Sequence, residues 1–407
     1  MALELSDLSG GSFDVIAFLD NRASAGATMS IQELTSKVAG HLLGLSRAFT
    51  CTLQRNGRIA VCLALIGGAV FVAPSNATAL ARIRVLGTGG TIAGAQSTWN
   101  SESYQPGSLS IGDLIRAVPQ VNTIAEVSTE QVCNIGSQTM TNSVWLTLAN
   151  RLNENLRDPG VDGVVITHGT DTMEETAYFL SLVVRSDKPV VMVGSMRPAT
   201  ALSADGPMNF YNAIALAADA QARGRGVLVI LNDQIYYARD VKKSNTTRLD
   251  AFDSPNRGRA GVIENGRAVL FSPSALKYGS RSEFSIDGAG ELPKVEIVYS
   301  YANFGRDTID FLVSERVKGI VLAGVGDGNT TDGALAGLKE AADKGVVVVR
   351  SSRVQSGSTH RNVEINDDKM GFIVSEELNP QKARILLMLG LMKTSDKSKL
   401  QEYFEEY

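Results

Sequence analysis

The 407-residue sequence predicts a two-domain α/β fold, with a larger N-terminal domain on a parallel sheet flanked by helices and a smaller C-terminal α/β domain. Three observations predict it. Segments rich in Val, Ile and Leu alternate with segments of helical period. The apolar segments are nearly continuous, the pattern of strands covered on both faces. A stretch punctuated by Gly, Ser and Pro, residues 271–293, separates one run of alternation from a second.

The N-terminal region stands apart from this pattern. Arg55-Asn56-Gly57-Arg58 precedes an uncharged stretch from Ile59 to Ala73, then Pro74-Ser75-Asn76-Ala77-Thr78-Ala79-Leu80-Ala81. A basic flank, a short apolar segment and an A-x-A site predict a secretory signal peptide at 55–81, cleaved after Ala79 or Ala81. The apolar segment is shorter than the roughly 20 residues of a membrane span. An N-terminal anchor or a buried helix is the alternative reading. Residues 1–54 fit either an overlong upstream reading from an early start codon or an unusually long leader.

The first domain is expected at 82–270. Apolar segments predict strands at 82–87, 163–168, 189–194 and 226–232, with a further strand-like run at 125–133. Helical period appears at 142–156, 173–185 and 207–219. After the 271–293 connector, the second domain (294–407) carries strand patterns at 294–299, 318–323 and 346–350 and a helix at 332–344. Helical stretches at 380–392 and 397–406 close the chain.

The composition is that of a globular protein, 44% apolar and 20% charged, and a net charge of −4 offers no basic surplus for nucleic acid or anionic membrane. Cleavage of the leader removes Cys51 and Cys62 and leaves Cys133, so no intrachain disulfide is expected. Of the histidines, His168 and His360 remain. No cysteine–histidine cluster has zinc spacing, so neither metal nor cofactor is expected.

Two strand ends carry the chemistry. Val164-Val165-Ile166 runs into Thr167-His168-Gly169-Thr170-Asp171-Thr172 and then a helical pattern. Open α/β sheets place ligands beyond the carboxyl ends of such strands. Arg82-Ile83-Arg84-Val85-Leu86 runs in the same way into Gly87-Thr88-Gly89-Gly90-Thr91-Ile92-Ala93-Gly94. The dinucleotide fingerprint fails here because Ile92 stands where its third glycine belongs, and no Gly-Lys-Ser/Thr follows for a phosphate loop. Glycines still let backbone approach a small polar ligand and present Thr91 to it. Alone, the motif reads more readily as a tight turn with a capping threonine. Thr170-Asp171 likewise reads either as an N-cap or as part of a catalytic set. Lys243, in a polar segment after the 226–232 strand, favours the second reading. A lysine that gives up its proton accepts one from a threonine hydroxyl, so Thr170, Lys243 and Asp171 fit nucleophile, base and orienter. Ile135-Gly136-Ser137-Gln138 is a further polar cluster, suited to hydrogen-bonding an amino acid and equally to a simple turn.

These motifs resemble the bacterial periplasmic (type II) L-asparaginase family. The resemblance runs from about Ile83 to Tyr407, and its most specific blocks are Thr-Gly-Gly-Thr-Ile-Ala-Gly at 88–94 and His-Gly-Thr-Asp-Thr-Met-Glu-Glu-Thr at 168–176. Asn134-Ile135-Gly136-Ser137-Gln138, Met196-Arg197-Pro198, Ser203-Ala204-Asp205-Gly206, Asn245-Thr246-Thr247 and Leu378-Asn379-Pro380-Gln381-Lys382-Ala383-Arg384 support it. The resemblance implies a periplasmic amidohydrolase that converts L-asparagine and water to L-aspartate and ammonia, with a dual glutaminase-asparaginase as the alternative. It implies Thr91 as the nucleophile, Tyr104 on a mobile loop activating it, and Thr170, Lys243 and Asp171 as a second triad. Ser137, Gln138 and Asp171 would grip the substrate's α-carboxylate and α-amino group, and backbone N–H groups near Thr170 and Ser195 the oxyanion. Asn329 and Glu364 would reach a neighbouring subunit's site in a homotetramer of intimate dimers. Two departures stand out: Asp327 occupies a position where asparagine is common, and the disulfide of one branch has lost both cysteines.

Overall fold

The structure, a computed structural model, describes residues 79–97 and 103–407. The proposed leader (1–54) and the signal-peptide residues up to Thr78 lie outside the described residues. Ala81 opens the first strand, β1 (Ala81–Gly89), which is followed by a small antiparallel ribbon, β2 (Ala95–Gln96) with β3 (Tyr104–Gln105). Helix α1 (Ile111–Ala117) starts at a capping box, Ser110 with Asp113, and leads to β4 (Ala125–Ile135). Next come α2 (Asn142–Arg157), β5 (Gly163–Thr167), α3 (Met173–Val183), β6 (Val190–Val193), α4 (Gly206–Ala218) and β7 (Val227–Leu231). A hairpin strand, β8 (Gln234–Tyr237), the short ribbon β9 (Lys242–Lys243) with β10 (Phe252–Asp253), and the hairpin β11 (Gly261–Glu264) to β12 (Arg267–Leu270) complete the domain.

Among the described residues the large sheet has eight strands, in the order β12-β11-β8-β7-β6-β5-β1-β4. From β7 to β4 all pairs are parallel, while β8, β11 and β12 are antiparallel. In chain order the parallel part reads 2-1-3-4-5, so the connection reverses between β1 and β5. That switch point opens a crevice at the carboxyl ends of two strands, where such sheets bind ligands.

Side chains alternate between the faces. Leu86, Val164, Ile166, Val190 and Met192 pack with Trp145, Leu148 and Leu152 of α2 and Ala177 and Leu180 of α3. Ile83, Val85, Val165, Val191 and Val193 pack on the other face with Leu114 of α1 and Phe210, Ala213 and Ile214 of α4. Each fully buried aliphatic side chain contributes about 1.5–3 kcal/mol relative to exposure. Both faces being covered explains why the strands read as unbroken apolar runs.

The second sheet is parallel throughout, in the order β13 (Val295–Tyr299), β14 (Gly319–Gly324), β15 (Val347–Ser352), β16 (Ile373–Val374). Helices α5 (Asp307–Ser314) and α6 (Asp332–Asp343) cover one face. After the short α7 (Asp367–Met370), α8 (Pro380–Leu391) packs against the other face and against α3 of the first domain, and α9 (Lys397–Glu406) packs on α8. Residues 271–293, expected as a connector, are seated rather than loose. Phe284, Ile286 and Leu292 are buried, and the Phe284 ring lies 5.0 Å from Tyr403 and 4.9 Å from Tyr407.

Candidate active site

The two threonine loops leave adjacent strands. Thr88 Oγ1 donates to Thr167 O at 2.7 Å and ties the end of β1 to the end of β5. Beyond that point the backbones touch. Gly90 has φ +81°, and a Cβ there would stand 2.3 Å from Gly169 N. A Cβ on Gly169 would stand 2.6 Å from Ser137 Oγ. The loops of Thr91, Thr170 and Ser137 therefore stack at spacings that only glycine permits.

Thr91 begins a 3₁₀ turn, Thr91–Ala93, and is buried. Its Oγ1 lies 2.8 Å from the hydroxyl of Tyr104. Tyr104 is half-exposed on β3, where it pairs with Gln96, and Leu109 N donates to Ala93 O at 2.8 Å. The ribbon thus holds the phenol over the nucleophile candidate while one side of the ring faces solvent.

Thr170 is buried in the turn between β5 and α3. Lys243 Nζ, on the β9 ribbon, donates to Thr170 Oγ1 at 2.9 Å and to Asp171 Oδ1 at 2.6 Å. The lysine is mostly buried and the aspartate mostly exposed, so the set runs from the interior to the crevice mouth. Ser137 joins it: its Oγ accepts from Asp171 N at 3.2 Å, and its carbonyl accepts from Thr172 Oγ1 at 2.8 Å. Gln138, exposed on the same 3₁₀ turn, folds back over Gly136. His168, two residues before Thr170, takes no part in this set. It is fully buried, its Nδ1 lies 2.7 Å from Gly169 O, and burial holds its imidazole down at about 4, hence neutral at ordinary pH.

Two threonines at neighbouring strand ends flank the switch point, Thr91 beside Tyr104 and Thr170 beside Lys243. The model described as "Asparaginase, N-terminal" matches residues 82–275, and the "Glutaminase/Asparaginase C-terminal domain" matches 294–404. The chain belongs to the asparaginase family. It is 48% identical to the "Probable L-asparaginase periplasmic" of Haemophilus influenzae over 350 residues, 86% of this chain and 99% of that one. It is 46% identical to the "Glutaminase-asparaginase" of Pseudomonas fluorescens over 332 residues, 81% of this chain and 91% of that one. Among solved structures it is similar to the "Probable Cytoplasmic L-asparaginase" of Campylobacter jejuni, with a TM-score of 0.78, 48% identity, and coverage of 80% of this chain and 100% of that one.

Within this asparaginase-family chain the remaining candidates divide. Ser195 is buried and its hydroxyl donates to Arg197 O at 2.7 Å, so its own turn occupies it. Asp205 fixes that turn by accepting from Met196 N and Arg197 N, both at 2.9 Å. Asn329 and Glu364 form a pair of their own, Nδ2 to Oε2 at 2.7 Å. Among the described residues no hydrogen bond joins that pair to Thr91 or Thr170. Asp327 meets His360 twice, accepting from the backbone N at 2.8 Å and lying 3.0 Å from Nδ1.

Sequence reading missed the groups behind this pair. Arg350 is buried, forks onto Asp367 at 2.6 and 2.8 Å, and donates to Asp327 O and His360 O, both at 2.9 Å. One guanidinium thereby braces the loop of Asn329 and the loop of Glu364. Its signal was present, a single arginine closing the run Val346-Val347-Val348-Val349. Among the described residues no group of His, Cys, Asp and Glu is arranged to hold a metal.

Proposed function

We propose that the protein is an L-asparaginase that hydrolyses the side-chain amide of free L-asparagine through a Thr91 acyl-enzyme. The observation that carries this is the pairing of two buried threonines at neighbouring strand ends with Tyr104 and with Lys243–Asp171. Thr91 Oγ bonds to the amide carbon while its proton moves, by way of Tyr104, to the amide nitrogen. The C–N bond breaks and nitrogen leaves as ammonia with a proton. Water then attacks the ester, losing its proton toward Thr170 and Lys243, and Thr91 Oγ recovers a proton as L-aspartate departs.

The substrate is a small zwitterion, and the proposed contacts match its charges. Asp171 receives the α-ammonium, Ser137 and Gln138 grip the α-carboxylate and the α-ammonium, and backbone N–H groups near Thr170 and Ser195 the oxyanion. The reaction needs no cofactor. A homotetramer of intimate dimers is proposed, in which Asn329 and Glu364 complete a neighbour's site. Division into 82–270 and 294–407 with 271–293 as connector is part of the same reading. So is export to the periplasm with cleavage near Ala79 or Ala81. The place of Ala81 in β1, paired with Ala125, favours cleavage at the earlier position.

Glutamine is one methylene longer, and a pocket discriminates that difference by about 1–3 kcal/mol. A relative named glutaminase-asparaginase keeps the dual activity as the second reading. Ammonia release from L-asparagine and L-glutamine, measured in parallel, tests both. A kcat/KM ratio above about 100 in favour of asparagine establishes the first reading, and a ratio near unity the second. Release from neither refutes the proposed hydrolase.

A further inference from the structure

Lys382 occupies an unfavourable place. It lies in the first turn of α8, where the helix dipole opposes a cation, and it is 2% exposed. Nothing in the proposed mechanism uses it. Its Nζ donates to Arg239 O at 2.7 Å and to Val241 O. Those carbonyls belong to the segment that delivers Lys243, two residues beyond Val241. Glu174 completes the cluster. It is buried in the first turn of α3, three residues after Asp171, with Lys382 and Lys242 as its nearby cations, and it takes a backbone hydrogen bond from Lys243. Asn379, the N-cap of α8, donates to Glu174 Oε2 at 3.5 Å.

The ribbon needs this anchor. β9 and β10 are two residues each, too short to fix a backbone by their own pairing. Lys243 must nevertheless hold Nζ on two oxygens, at 2.9 and 2.6 Å, at the end of a flexible four-carbon stem. A displacement of about 1 Å at such a group costs about 100-fold in rate. We propose that Lys382 is a positioning residue for the reaction: it tethers the 239–243 backbone to helix α8, and with Glu174 sets the reach of Lys243 to Thr170 and Asp171. The C-terminal domain thereby acts on the site through the backbone of Lys243. This rests on the role proposed above for Lys243.

The test is a double-mutant cycle on the full protein, with Lys382→Met and Lys243→Met made singly and together. Lys382→Met preserves length and removes the donor. In the wild-type background it lowers kcat about 10- to 100-fold and changes KM for L-asparagine less than about 3-fold. In the Lys243→Met background it lowers kcat less than about 2-fold, because the residue it positions is gone. Equal losses in both backgrounds, or a rise in KM at unchanged kcat, overturn the proposal. Lys382→Gln retains a donor and provides a second route if the methionine variant does not fold. Failure of both to fold overturns the proposal in favour of a purely structural lysine. Full activity of Lys243→Met alone identifies the failure as that of the underlying mechanism.

Discussion

A threonine hydroxyl becomes a nucleophile only beside a group that takes its proton. Thr91 has Tyr104 at that distance and sits in a turn rather than in the packed core. Thr91→Ala is expected to lower kcat at least about 1000-fold while thermal unfolding stays unchanged, measured by ammonia release and circular dichroism. Normal turnover in that variant would remove Thr91 from the mechanism. His168 makes a different residue-scale prediction. Its folded pKa is depressed from 6.5 to about 4, so between those values the unfolded chain binds more protons. The contribution of His168 to stability therefore falls as pH drops from about 6.5 to about 4, by up to about 3 kcal/mol, and levels off below. Denaturant titrations across that window should show the slope in wild type and a shallower one in His168→Asn. Identical slopes would mean that the imidazole is not held neutral. Much of the site was legible at this scale. Thr91 and Thr170 could be picked out by residue type at strand ends and Lys243 in a polar segment beyond the 226–232 strand, yet no spacing rule could bring Lys243 onto Asp171 across 72 positions. That meeting depends on the backbone around β9, which is set by the distant Lys382.

At the scale of elements, the site depends on three loops touching through glycines. Gly90→Ala places a Cβ 2.3 Å from Gly169 N at φ +81°, so either the Thr91 loop or the Thr170 loop must move. Strain at such a position costs on the order of 1–3 kcal/mol. The expected outcome is a lower melting temperature together with a loss of kcat of about 100-fold, since a shift of about 1 Å is enough. A variant with full activity would show that the loops do not need their present contact. The strands that carry these loops were legible because burial on both faces leaves continuous apolar runs in Val164-Val165-Ile166 and Val190-Val191-Met192. The antiparallel edge was not. β8, β11 and β12 are four residues each and carry little apolar period. Their turns were the readable signal: Asn232-Asp233 and Asn265-Gly266 all take positive φ, the hairpin signature that a search for long runs passes over. The capping box at Ser110 likewise marked the unexpected α1.

At the scale of the whole molecule, the question is which active site Asn329 and Glu364 serve. Arg350 and Asp367 hold both loops rigidly from beneath, which is the support a functional pair needs. Yet the pair bonds to itself, and among the described residues it makes no hydrogen bond to the threonines of its own chain. The proposed dimer resolves this by letting each chain complete its partner's site. A closed two-fold interface makes the consequence countable. In a Glu364→Ala/Thr91→Ala heterodimer, one site has lost both groups and the other retains both. Random reassembly of equal amounts yields heterodimers in about half of the pairs, so about a quarter of all sites regain the full set. Thr91→Ala alone is expected to be inactive and Glu364→Ala to be reduced about 10-fold or more, so denaturing, mixing and refolding the two should raise activity above the average of the separate proteins toward about a quarter of wild type. Mixed oligomers verified by mass spectrometry that stay at the average would assign Glu364 to its own chain's site or to none.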